Sequence, residues 1–93
     1  MTLVDVRQLS EWIEGHIPGA NHFEGGRVAW ENFPFPQEKP LAIQCASGSR
    51  SMVAISVLKR HGIHNVIQVN GGITKWKMNG FEVVKDRQNL ITL

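Results

Sequence analysis

Apolar residues near the start of the chain change their spacing as they go. Leu3, Val4 and Val6 bunch as they do in a short strand. Leu9, Trp12 and Ile13 then follow at intervals that place all of them on one helical face. Gly15 is a natural stop for that helix. The glycines and proline of Gly15-His16-Ile17-Pro18-Gly19 predict a turn, after which Asn21, His22 and Phe23 should run extended. Residues 25–40 have no regular spacing. Pro34, Pro36 and Pro40 forbid a long helix there, leaving room for one short turn over 28–33 around Trp30.

The second half repeats a simpler pattern. Leu41-Ala42-Ile43-Gln44-Cys45 is a brief apolar run, consistent with a buried parallel strand that delivers Cys45 at its carboxyl end. Small polar residues come next, and then a helix over 51–61, marked by Met52, Ala54, Ile55 and Leu58 and stopped by Gly62. Asn65-Val66-Ile67-Gln68-Val69 reads as the next strand. Gly71-Gly72 leads into a second amphipathic helix through Ile73, Trp76 and Lys77, ending near Gly80, and residues 81–84 can lie extended against the core. Strands alternating with helices predict an α/β fold with a small parallel sheet and right-handed crossovers. The expected organisation is a single domain over 1–93, with its core at about 3–84 and an irregular tail at 85–93.

Composition narrows the function. A chain of 93 residues can bury roughly 60 to 70 % of its unfolded surface, and 42 % hydrophobic with 19 % charged residues suits a packed core. The net charge of +2 is too small for the field that nucleic-acid or membrane-surface binding needs, so neither partner is expected. No apolar run approaches the roughly 18 residues that cross a bilayer. The first residues lack a signal-peptide layout, and the expected location is cytoplasmic. Cys45, the lone cysteine, excludes an internal disulfide and a multi-thiolate zinc site, and it favours a reducing compartment.

Ligands of open parallel sheets bind beyond the carboxyl ends of the strands, where Cys45 is expected to sit. The residues after it, Ala46, Ser47, Gly48 and Ser49, are small enough for the loop to curl with its N–H groups aimed inward, forming an anion cradle. The helix after the loop adds the positive end of its dipole, and Arg50 adds a guanidinium at the rim. Such surroundings lower a thiol pKa from about 8.5 to roughly 3.5–7.5, so Cys45 should be largely thiolate at neutral pH without a base. A cysteine protease would need a histidine base, and His16, His22, His61 and His64 show no local signature that assigns one, although spatial pairing stays open.

The stretch Cys45-Ala46-Ser47-Gly48-Ser49-Arg50-Ser51 resembles the active-site loop and helix start of the rhodanese family of sulfurtransferases. Three further segments resemble the family's recurring motifs in the same order: Leu3-Val4-Asp5-Val6-Arg7, Gly15-His16-Ile17-Pro18-Gly19-Ala20, and Val69-Asn70-Gly71-Gly72-Ile73-Thr74-Lys75-Trp76. The resemblance implies a rhodanese-like fold in a minimal version, without the strand and helix that commonly precede the first of these segments. It also implies a sulfur relay. Cys45 would take the outer sulfur of thiosulfate or a persulfide and pass it to cyanide or a thiol. The backbone of Ala46, Ser47, Gly48, Ser49 and Arg50 would form the cradle, with Arg50 on the anionic end of the donor. No metal or organic cofactor is implied. The partners would be the small anionic donor and the acceptor, with a sulfur-accepting protein or a fused enzyme as a further candidate.

Two other readings stand beside this one: a non-catalytic binding or regulatory module of the same fold, and a phosphatase or arsenate reductase of the Cdc25 type. The latter families place one more residue between Cys and Arg, making a wider ring suited to a tetrahedral oxyanion. The four residues here should suit a sulfur atom better. Retention of Cys45 and Arg50 argues against the non-catalytic module.

Other conspicuous residues are expected to be structural. Asp5 and Arg7 read as hydrogen-bonding anchors between loops. Trp12, Trp30 and Trp76 read as core or rim packing. Gly71 and Gly72 read as a turn with close backbone approach, because a nucleotide fingerprint needs further glycines. Lys59, Arg60 and His61 complement a helix dipole.

Overall fold

The computed structural model describes residues 1–85 other than Ala29 and Gln37. The predicted tail beyond Lys85 lies outside the described residues. Strands β1 (Thr2–Asp5), β2 (Asn21–His22), β3 (Leu41–Gln44) and β4 (Val66–Gln68) form one parallel sheet in the order β2-β1-β3-β4. Helix α1 (Leu9–Glu14) links β1 to β2, α2 (Ser49–Arg60) links β3 to β4, and α3 (Gly72–Met78) comes after β4. The α/β architecture therefore agrees with the strand-helix alternation of the sequence.

The period-two alternation of strand side chains divides the core between the two sheet faces. Val4 and Val6 join Leu41, Ile43 and Cys45 against Ala54 and Leu58 of α2, with Phe23 and Phe35 completing that cluster. Leu3 points the other way, towards Trp12 of α1, Ile17, Ala20 and Ile73 of α3. All four residues of β3 are buried, as expected of a continuous apolar strand with a neighbour on each side.

Some helix faces are rotated from the simplest apolar count. On α1, Trp12 is fully buried while Leu9, in the first turn, is 38 % exposed. On α2 the buried residues are Ser51, Ala54 and Leu58, and Met52 is exposed. A polar residue occupies the stripe because its neighbour across the interface is the Cys45 sulfur. Trp30 is 88 % exposed, so it packs neither in the core nor at its rim. The short helical turn forms earlier than expected, at Gly25–Arg27, where Gly25 N–H is tied to Val6 O at 3.0 Å. After α3, Val83 packs on the Trp12 cluster, Glu82 O accepts from the Trp76 indole N–H at 2.6 Å, and Val84 exchanges backbone hydrogen bonds with His16, so residues 82–84 lie against the body as expected. Phe81 is mostly exposed and lies against the Trp76 ring, with centroids 4.8 Å apart.

The Asp5–Arg7 pair fixes the end of β1. Arg7 donates from its backbone N–H to Asp5 Oδ1 at 2.9 Å, and from Nη2 to Asp5 Oδ2 at 2.8 Å and Gly15 O at 2.7 Å. His22 Nε2 meets Arg7 O at 2.7 Å, so β1, β2 and the end of α1 share one buried polar anchor, as the sequence suggested. Breaking a buried pair leaves an uncompensated charge, at a cost of about 3–5 kcal/mol. Asp5→Asn should therefore lower the unfolding free energy by about 3–5 kcal/mol in urea titrations; a loss below about 1 kcal/mol would show that Arg7 is satisfied without it.

Candidate functional site

β3 ends at Gln44, and the chain leaves the sheet at Cys45. Helix α3 shapes the loop beyond that point. Two amides of its first turn, those of Ile73 and Thr74, donate to the carbonyl oxygens of Cys45 and Ala46, each at 3.0 Å. With its carbonyls held on that side, the loop presents amides on the other. Gly48 N–H donates to Cys45 Sγ at 3.0 Å and Ser51 N–H at 3.4 Å. Gly48 adopts φ 122°, a conformation that disfavours L side chains, and a Cβ there would come within 2.9 Å of Gln68 Nε2.

Helix α2 begins at Ser49, two residues earlier than the sequence predicts, with Gly48 as its N-cap. A glycine offers no side chain to the free amides of the first turn. Ser51 is the third helical residue, and its N–H goes to the sulfur instead. The Ser51 hydroxyl lies 3.6 Å from Sγ and 3.0 Å from Gly48 O, while its oxygen accepts from Gln68 Nε2 at 3.3 Å. Gln68 also donates to Gly48 O at 2.8 Å, closing the loop from β4. When the thiol is neutral its S–H can donate to Ser51 Oγ; when it ionises, the hydroxyl hydrogen can turn from Gly48 O to the sulfur.

Cys45 is 1 % exposed and belongs to the apolar cluster on the α2 face. Burial pushes its thiol pKa up, but the hydrogen bonds from Ser51 N–H, the Ser51 hydroxyl, Gly48 N–H and Ser47 N–H outweigh that effect. The result lies below the ordinary thiol value. The four histidines are elsewhere. His16 stacks on Trp12 at 3.5 Å, His22 holds Arg7 O, and His61 and His64 are exposed at or beyond the far end of α2.

The expected cradle residues divide by role. Gly48 meets the sulfur through its amide and the Ser47 amide helps lower the thiol pKa, whereas Ala46 is half-buried with its carbonyl on Thr74. Ser49 and Arg50 form the exposed first turn of α2. Arg50 is at the rim, as expected, but it does not stand free. Its Nη1 and Nη2 donate to Glu11 Oε1 and Oε2 at 2.5 and 3.0 Å. Its pKa is raised, first by that hydrogen bonding and further by the charge of Cys45. The Arg50 bond, opposed by burial and assisted by Gln8 N–H, lowers the Glu11 pKa to about 2.

The sequence reading missed Ser51, Gln68 and Glu11 as site residues. Ser51 adjoins the recognised loop and was legible as the inward-facing residue one helical turn before Ala54 and Ile55. Gln68 and Glu11 meet the loop only through tertiary structure. Among the described residues, no group of three or more His, Cys, Asp or Glu side chains could hold a metal ion, and no helix is long and apolar enough to cross a membrane.

A sheet-end cysteine inside a ring of amides, on a parallel α/β sheet, places the chain in a recognisable class, and sequence comparison agrees. The family model for the rhodanese-like domain matches residues 1–79, and the chain belongs to that family. A protein of Allochromatium vinosum named as a sulfurtransferase is 32 % identical over 82 residues, covering 88 % of this chain and 77 % of its own length. The thiosulfate sulfurtransferase GlpE of Pseudomonas savastanoi is 32 % identical over 75 residues, covering 81 % and 71 %. A crystal structure of a rhodanese-related protein from Thermoplasma volcanium superimposes with a TM-score of 0.82 at 32 % identity, covering 91 % of this chain and 84 % of that one. The chain spans only 51 % of a longer, uncharacterised relative from Synechocystis.

Two measurements check the electrostatics. Ser51→Ala removes a hydroxyl that bonds the thiolate, so the Cys45 pKa should rise, read as a shift of the thiolate ultraviolet absorbance to higher pH. The Glu11 carboxylate, depressed on folding, stabilises the protein above its ordinary value of 4.5, and that contribution is lost as pH falls towards about 2. Because the pair is partly exposed, the contribution should not exceed about 1 kcal/mol. Wild type and Glu11→Gln should differ by that amount in urea unfolding near neutral pH and converge through the acid range; a difference that persists at the acid end would assign it to packing instead.

Proposed function

We propose that the protein is a rhodanese-type sulfurtransferase in which Cys45 carries sulfane sulfur as a persulfide. The observation that carries this reading is the pair of backbone hydrogen bonds from Gly48 and Ser51 converging on one sulfur. Donors fixed before reaction stabilise charge at that atom without reorganising. The Cys45 thiolate attacks the outer sulfur of thiosulfate, a Cys45 S–S bond forms, the donor's S–S bond breaks, and sulfite leaves with the electron pair. With a persulfide donor the leaving group is the donor's thiolate. Cyanide or a thiolate then attacks the terminal sulfur, forming thiocyanate or a new persulfide and returning Cys45 as thiolate.

In this reading, Ser47, Gly48 and Ser51 hold the anionic sulfur through their amides, and Ala46, Ser49 and Arg50 complete the loop around it. The added sulfur extends the side chain by about 2 Å. Gln68 keeps Gly48 and Ser51 in register. The chemistry requires no organic cofactor or metal. A free thiolate must persist between turnovers, which suits a reducing, cytoplasmic setting. The working unit is one rhodanese-like domain over 1–93, with a small anionic donor and a thiol, cyanide or sulfur-accepting protein as its partners.

Incubation with thiosulfate followed by intact-mass measurement should show a gain of one sulfur that dithiothreitol removes, and the gain should be absent in Cys45→Ala. A wild-type mass unchanged by both thiosulfate and a small persulfide would remove this function.

A further inference from the structure

The first turn of α2 faces a cleft of about 440 Å³ beside the loop. Val6, Gly25 and Val53 give it an apolar wall, and Arg50 and Glu24 are its charged lining groups. Both terminal nitrogens of Arg50 are already engaged by Glu11. At the cleft's edge the Arg50 guanidinium is thus paired with Glu11 and also feels the charge of Cys45, while Arg7 and Arg27 lie within electrostatic range of Glu11 and Glu24. A donor that ends in a sulfonate must compete with Glu11 for Arg50. A persulfide on an uncharged thiol body makes no such demand.

We infer that Glu11 is a specificity-determining residue: by neutralising Arg50 it biases the site towards persulfide donors of low charge and against thiosulfate. The inference rests on the reading of Cys45 as sulfur carrier. Glu11 is held well enough to act, with both oxygens on Arg50 and one also accepting from Gln8 N–H at 3.0 Å. Its lowered pKa keeps it charged throughout the neutral range. Exposure limits the effect. The side chains are 33 % and 43 % exposed, and pairs so exposed are worth up to about a fivefold change in an equilibrium constant. The result is a bias that a concentrated anion can overcome.

Glu11→Gln removes the charge while keeping the side-chain shape. The KM for thiosulfate relative to that for 2-hydroxyethyl persulfide should fall about threefold to fivefold in this variant at low salt, with the corresponding kcat ratio unmoved. Screening should bring the two proteins together at about 1 M salt. A second probe does not depend on sulfur transfer. Iodoacetate and iodoacetamide are nearly equal in size and differ by one charge, so the burial of Cys45 slows both alike. Their rate ratio at Cys45, iodoacetate over iodoacetamide, should rise by about the same threefold to fivefold factor in Glu11→Gln. An inactive unfolded fraction leaves each KM unchanged, and the alkylation ratio is taken under conditions where circular dichroism shows both proteins fully folded. Ratios equal to wild type in both assays overturn the inference. A raised alkylation ratio with no sulfur loaded from either donor would instead overturn the sulfurtransferase reading and leave Glu11 as the residue that sets anion access.

Discussion

The loop around Cys45 depends on where its carbonyl groups go. A backbone segment can turn several amides towards one point only if its oxygens find partners on the opposite side. Here α3 supplies them, through Ile73 and Thr74. That contact requires the backbone of Gly72 to press against the peptide of Cys45, so closely that any Cβ would run into the Cys45 carbonyl oxygen. Gly72 also has φ 50°, in the region that favours glycine. Two glycines far apart in sequence, Gly48 and Gly72, thus shape one loop from inside and outside.

The rest of the fold sets the distance between the parts. β3 lies between β1 and β4, so its end is within reach of Gln68 on one side and of the α1 entry on the other. The buried Asp5–Arg7 pair fixes the turn from β1 into α1 and anchors its far end through Gly15 O. That placement carries Glu11 across to Arg50. The ion pair at the rim is partly exposed and adaptable, whereas the amide ring beneath it is held by backbone hydrogen bonds from two helices and by the Gln68 side chain from β4.

Much of this was legible in the sequence, for specific reasons. The uninterrupted apolar run of Leu41 to Ile43 marked the central strand, and Cys45 with Gly48 and Arg50 marked the loop because small residues and a cation leave a distinct local signature. Gly71 and Gly72 were legible as a close approach, but their target was not, because the contact joins residues in different elements. Counting apolar residues misplaced Met52 and Leu9, which are exposed, and overlooked Ser51. A serine at a core position is explained only by the sulfur it faces. Trp30 misled for a related reason: its size suggests burial, yet the irregular segment that carries it leaves it in solvent.

The bond from Ser51 N–H to the sulfur also acts on the scaffold itself. Helix α2 has no other acceptor for that amide at its glycine-capped start, and an ionised sulfur is a stronger acceptor than a neutral one. In the proposed reaction the sulfur would thereby double as a keystone: the thiolate that would attack a donor is also the form that best secures the opening turn of the longest described helix. Under that proposal reactivity and architectural firmness rise together, where active sites often set them at odds.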